Sequence, residues 1–212
     1  MSRLYVYCEG PSEREFVSRI LHPYLYKHGI IAIPIVCATG EKYGKIYKGG
    51  VSDYSKICKE LRKICYEHRN EHVTTMIDFY GLPSNTPGIE SNDIDDVKKS
   101  ITKDIGANNL LIYLSRHEYE ALLFSDVDSF REKYGDDIVH DLRKIRLAYD
   151  TPEDINNSRD TAPSKRIQQL IPEYKKVIDG TTIALYIGIE KMMAECPYFK
   201  AWVESIICFC KE

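Results

Sequence analysis

The chain has 212 residues, 43% hydrophobic and 29% charged, with a formal net charge of −3. That composition suits an ordinary globular protein with a substantial core, and argues against a generally basic nucleic-acid coat while leaving room for a local basic track. Seven cysteines without a CxxC pair point to buried thiols, not zinc or disulfides; with no leader-like start and no long apolar run, a cytoplasmic protein without a membrane segment is expected.

The first expected strand, about residues 3–8, runs through Leu4-Tyr5-Val6-Tyr7-Cys8 into Glu9-Gly10. Ser12 and Glu15 read as a capping box opening a helix, with Phe16, Val17, Ile20 and Leu21 as its apolar face. A second strand is expected over 30–36, then a loop or irregular hairpin over 38–50, rich in Gly, Lys and Tyr. A helix over 53–69 carries Tyr54, Ile57, Leu61 and Cys65. Val73-Thr74-Thr75-Met76-Ile77 reads as a strand ending on Asp78, followed by a turn-rich loop over 81–88. A third helix over 93–104 precedes a strand at 110–114. Ser115 and Glu118 suggest another capping box, opening a helix through Ala121-Leu122-Leu123-Phe124. Helical patterns follow around 127–134, 136–147, 163–171 and 188–208, with no further strand. The expected fold class is α/β: a Rossmann-like, mostly parallel sheet flanked by helices over residues 1–125, with a helical extension over 126–212 packed on it.

Three apolar runs lead into acids, and in a parallel sheet those ends share the edge where open α/β sheets bind ligands. Carboxylates distant in sequence would meet there, which suggests a divalent-metal site. Glu9 with Gly10 fits a sharp turn that leaves the acid at the edge; a solvent-facing acid is the bland alternative. Glu13, in the first helical turn, reads as a macrodipole charge unless Glu9 is a ligand. Asp78 is hemmed by Ile77, Phe79 and Tyr80, so its charge needs a partner; a turn cap is the alternative. On a helix His117 and Glu120 would share a face, whereas Glu118 would serve the Ser115 cap. Glu120, beside Leu123 and Phe124, is then the favoured metal ligand of the two acids. Lys42, Lys45 and Lys48, with Tyr43 and Tyr47 interleaved, form either a phosphate-holding, base-stacking loop or a merely solvated one. Pro163 and Ser164 would open a helix whose N-terminus, with Lys165 and Arg166, could meet an anion, helped by Asn156 and Asn157.

The run Val6-Tyr7-Cys8-Glu9-Gly10-Pro11-Ser12-Glu13 resembles the Glu-Gly motif that opens Toprim domains. Four further runs are similar to the prokaryotic Toprim-like family catalogued as domain of unknown function 4276, so the resemblance spans nearly the whole chain. Two of them are Thr74-Thr75-Met76-Ile77-Asp78-Phe79-Tyr80-Gly81-Leu82-Pro83 and His117-Glu118-Tyr119-Glu120-Ala121-Leu122-Leu123-Phe124-Ser125. The others are Thr161-Ala162-Pro163-Ser164-Lys165-Arg166 and Ala194-Glu195-Cys196-Pro197-Tyr198-Phe199-Lys200-Ala201-Trp202. Toprim domains occur in topoisomerases, primases and nucleases of overcoming-lysogenization-defect type. The resemblance implies a Toprim-like sheet whose acids hold Mg²⁺, with Mn²⁺ able to substitute, for phosphodiester chemistry. It implies that Glu9 binds a metal or acts as general acid/base, and that Asp78 binds the metal as first acid of an Asp-x-Asp motif. Glu118 or Glu120 would complete a second position and Lys165 would stabilise phosphorane charge, with Gly10, Glu13, Tyr80 and His117 in support. Tyr80 stands where that motif has its second acid. An ABC- or SMC-like ATPase partner in phage defence is implied as well.

The resulting expectation is a Mg²⁺-dependent Toprim-type endonuclease acting on nucleic acid beside an ATPase. The alternative, favoured by Tyr80, is a non-catalytic Toprim-like binding or regulatory subunit of an ATPase complex. A small-molecule phosphohydrolase comes third. The oligomeric state stays open, a homo-oligomer included.

Overall fold

The computed structural model describes residues 1–37, 41–42, 45–46, 53–156 and 161–211, the pairs 41–42 and 45–46 as backbone only. Strand β1 (Ser2–Cys8) pairs in parallel with β2 (Ile30–Val36), and β3 (Glu41–Lys42) with β4 (Lys45–Ile46) forms a separate antiparallel hairpin. On the other side of β1 lies β5 (His72–Asp78), which pairs in parallel with β6 (Leu110–Leu111) and β7 (Leu114–Ser115). The sheet order is thus β2-β1-β5-β6, as expected for a mostly parallel α/β fold.

Side-chain alternation sorts this sheet onto two faces. Leu4, Val6, Cys8 and Met76 pack with Phe16 and with Trp202, Val203 and Ile206. Tyr7, Val73 and Ile77 pack on the opposite face with Ile57, Leu61, Val97 and Ile101. All seven cysteines are free thiols, and all but Cys208 are buried. Among the described residues no helix is long and apolar enough to cross a membrane.

Helix α1 (Pro11–Phe16) starts without the expected Ser12–Glu15 box. Gly10 is its N-cap with no side-chain bond, and Glu15 instead pairs with Arg14 and Arg19. Pro11 explains this, because its fixed φ at the first helical position sets the turn unaided. A π turn (Val17–Leu21) then leads into α2 (His22–Tyr26), where Pro23 lacks the N–H and the clearance an unbroken α-helix needs. Helices α3 (Tyr54–Glu67) and α4 (Ile94–Ile105) begin on aspartates. Asp53 accepts from Ser55 N at 2.9 Å, and Asp93 from Asp95 N and Asp96 N at 2.9 and 3.0 Å.

The strand expected at 110–114 is split in two. Thr75 Oγ1 donates to Tyr113 O at 2.6 Å and accepts from Tyr113 N at 2.8 Å, so a hydroxyl replaces backbone pairing between β6 and β7. The following helix is a 3-10 helix, Tyr119–Ser125, with no side-chain cap. A further 3-10 turn precedes α5 (Arg131–Leu147), which kinks at Gly135 with φ 82°. Then come α6 (Pro163–Leu170), a π turn (Lys176–Gly180), α7 (Thr181–Ile187), α8 (Ile189–Glu195) and α9 (Pro197–Phe209). The helix expected over 188–208 breaks at Cys196, because Pro197 drives the residue before it out of the helical region.

Two contacts seat α9. Trp202, 4% exposed, stacks on Tyr113 at 4.1 Å and donates from Nε1 to Thr74 Oγ1 at 3.0 Å. Buried Glu153 accepts from Tyr198 N and Phe199 N, both at 2.8 Å, capping the helix from a distant segment. Glu153→Ala is therefore expected to cost about 1–3 kcal/mol in urea denaturation, because buried N–H groups lose their acceptor. An unchanged midpoint would show that water replaces the carboxylate.

Candidate acidic site at the carboxyl edge of the sheet

The chain leaves β1 toward β2 and returns on the other side of β1 as β5. Order therefore reverses between β1 and β5, the kind of crevice in which open α/β sheets bind ligands. Glu9 directly follows β1 and Asp78 closes β5, so both stand at the mouth of that crevice. Glu9 N donates to Met76 O at 3.2 Å, and Asp78 N donates to Glu9 Oε2 at 3.1 Å. Ser115 pairs with Asp78, which brings Glu118 and Glu120 to the same edge from the next segment.

Two glycines permit this crowding. A Cβ on Gly81 would lie 3.3 Å from both Glu9 carboxylate oxygens and 3.5 Å from Asp78 Cβ. A Cβ on Gly10 would lie 3.3 Å from Glu13 Oε2. Glu13 stands in the first turn of α1, where a macrodipole charge is expected, and at 9% exposed it also lies close to Glu9 and Asp78, in a cluster where Glu120 is 2% exposed.

Burial and mutual repulsion govern the charges. Burial first, then the carboxylates of Glu9, Glu13, Glu120 and Glu118, holds Asp78 well above the usual aspartate range. Burial likewise raises Glu9 and Glu13, and pushes Glu120 to about 7. Glu118 goes the other way: burial works to raise it, but Lys176 and the Ser164 N–H outweigh that and hold it low.

Among the described residues, Lys176 is the cation that pairs with this group. Its Nζ lies 3.0 Å from Glu118 Oε1 and 3.5 Å from Glu120 Oε1. The other oxygen of Glu118 accepts from Ser164 N at 2.9 Å. The N-terminus of α6 therefore meets an anion, as expected, but the anion is the chain's own Glu118 rather than a ligand. Glu118 consequently caps α6 and does not form a box with Ser115.

The basic residues expected here lie otherwise. Lys165 is exposed and makes no ion pair or side-chain hydrogen bond among the described residues; the turn of α6 that buries Ser164 carries Lys165 outward. Arg166 donates to Thr161 O and Tyr149 OH, at 2.8 and 2.7 Å, with its guanidinium over the Tyr149 ring. It is thereby committed to packing. Lys42 and Lys45 are register partners in the β3–β4 hairpin backbone, whereas Tyr43, Tyr47, Lys48 and Asn157 lie outside the described residues.

His117 precedes the 3-10 helix, so it shares no helix face with Glu120. Its ring stacks on Tyr80 at 5.2 Å and 17° and shares a hydrogen bond with Asn156. Burial lowers it to about 4, leaving it neutral. Tyr80 supplies no acid and is 64% exposed.

Sequence reasoning missed Lys176. It sits in Tyr174-Lys175-Lys176-Val177, where no glycine, cap or strand end marks it. Its position beside acids more than fifty residues away is purely tertiary.

A divalent cation fits these residues. The donors are carboxylate oxygens, the set suited to Mg²⁺ or Mn²⁺. Asp78 Oδ1 and Glu120 Oε1 are buried without a hydrogen-bond partner, which a cation would remedy. Among the described residues, no three His, Cys, Asp or Glu side chains already close on one point.

A family model described as Domain of unknown function (DUF4276) matches residues 8–207. No curated protein and no solved structure matches the chain.

Proposed function

The chain belongs to the DUF4276 family, and we propose that its acid cluster is the centre of a Mg²⁺-dependent, Toprim-type endonuclease. One observation carries this reading: acids following β1, ending β5 and following β7 converge at the switch point, with two carboxylate oxygens buried and unbonded. Glu9 and Asp78 would hold the cation, with Glu118 and Glu120 available as further ligands. When bound, Mg²⁺ would activate water and stabilise the leaving oxygen of a phosphodiester. The hydrogen bond that Glu9 accepts from Asp78 N sets its carboxylate beside Asp78, which supports pairing these two as ligands. A polymer substrate is supported by Tyr80, whose exposed ring, backed by His117, offers a face on which a base can stack. We place the enzyme in the cytoplasm, beside an ABC- or SMC-like ATPase.

A supercoiled-plasmid assay with Mg²⁺ or Mn²⁺, run with and without the ATPase encoded nearby, tests the proposal. Nicking that EDTA removes is expected. Intact plasmid, single-stranded DNA and RNA under every condition would instead support the second reading, a non-catalytic regulatory subunit. That reading draws on Tyr80, which leaves one carboxylate fewer, and on Lys176, which already neutralises part of the cluster.

A further inference from the structure

We infer that Lys176 is a displaceable internal cation, holding the acid cluster together in the ion-free chain and leaving it when a divalent ion binds. This inference rests on the proposed reading that the acids bind metal. Lys176 contacts both Glu118 and Glu120, and Glu120 is the buried member whose Oε1 lacks a hydrogen bond. The 3.5 Å approach to that oxygen is an ion pair without a hydrogen bond, so the ammonium compensates charge there but does not satisfy the oxygen.

The route outward is open. The Lys176 side chain is 39% exposed while that of Glu120 is 2% exposed, so the lysine reaches solvent where the acid it contacts does not. Its backbone is anchored separately. Asp179 accepts from Lys175 N at 2.8 Å and pairs with Lys133, and Thr181 Oγ1 donates to Val177 O at 2.6 Å. The side chain can therefore swing into water while the π turn stays in place. Glu118 keeps its Ser164 N–H bond when the lysine leaves, so the oxygen most in need of a new partner is that of Glu120.

Charge supplies the drive. A divalent ion among these carboxylates brings twice the charge of the ammonium and repels it at close range.

The test is Mn²⁺ binding by the full chain, read by calorimetry or by loss of the free-ion EPR signal. Lys176→Gln is expected to bind Mn²⁺ at least roughly tenfold more tightly than wild type, because a competing charge is gone. Lys176→Arg, which keeps that charge, is expected to bind no more tightly than wild type. Equal or weaker binding by Lys176→Gln, or an equal gain in Lys176→Arg, overturns the inference. Should Lys176→Gln not fold without an ion, added Mn²⁺ must restore its circular dichroism; failure to do so also overturns it. Asp78→Asn separates the two ideas. If wild type binds Mn²⁺ and Asp78→Asn does not, the metal site stands even where the lysine inference fails. If wild type binds none, both fall.

Discussion

Asp78→Asn is expected to abolish divalent-ion-dependent cleavage, lowering it roughly a thousandfold or more, while raising the melting temperature in EDTA at pH 8. The two effects share a cause. Asp78 ends β5 beside Glu9, with Oδ1 buried and unbonded, so its charge is poorly compensated until a cation arrives. A carboxyl whose folded pKa lies above its unfolded value contributes stability that is complete below the unfolded pKa and lost as pH rises through the folded one. Asp78, Glu9, Glu13 and Glu120 are all shifted upward, whereas Glu118 is lowered and contributes stability that is lost as pH falls. For Glu120, the rise from 4.5 to about 7 corresponds to roughly 3 kcal/mol lost between mildly acid and mildly alkaline pH. The ion-free protein should therefore be less stable at pH 8 than at pH 5, and Asp78→Asn should flatten that slope. Mg²⁺ should stabilise wild type at pH 8 and leave the variant unmoved. A variant that loses both cleavage and melting temperature in EDTA would make Asp78 a residue of the fold rather than of the site.

What was legible in the sequence follows the range of the forces involved. Strands β1, β2 and β5 are short apolar runs, and a parallel arrangement then places Glu9 and Asp78 at one edge whatever the remaining details. Asp53 and Asp93 mark helix starts because an N-cap is a local bond. The Ser12–Glu15 box had the right pattern, but Pro11 fixes the turn first. The 3-10 helix at Tyr119–Ser125 could not be told from an α-helix, since one short apolar run fits both repeats. The split between β6 and β7 depends on a Thr75 hydroxyl meeting Tyr113, a contact without a local signature. The lysine beside the acids lacks a local signature for the same reason. Lys165 follows a helix start and attracts notice, while Lys176 reaches Glu118 and Glu120 only because the chain after α6 folds back over them.

Trp202→Ala is expected to lower unfolding free energy by about 3–5 kcal/mol, the cost typical of removing a buried aromatic side chain. Trp202 lies against Tyr113 with an interplanar angle of 9°, and against Phe199 at 5.8 Å, so alanine would leave a cavity next to the sheet. Its indole N–H bonds Thr74, whose hydroxyl in turn donates to Leu111 O at 2.7 Å, linking α9 through β5 to β6. Trp202→Phe keeps most of the buried area and loses that bond, so a smaller loss, about 1–2 kcal/mol, is expected. Thr74 lies on the strand that ends at Asp78, yet the Asp78 N–H is held locally by Glu9. Cleavage per folded molecule should therefore stay within about threefold of wild type, with the loss falling on thermal endurance. The shape of the transition carries the further information. Side chains from β1, α1 and α9 share one core, so both variants should unfold in a single step by fluorescence and circular dichroism alike. Two separated transitions in Trp202→Ala would mean that the C-terminal helices detach as a unit while the acid-bearing sheet remains folded.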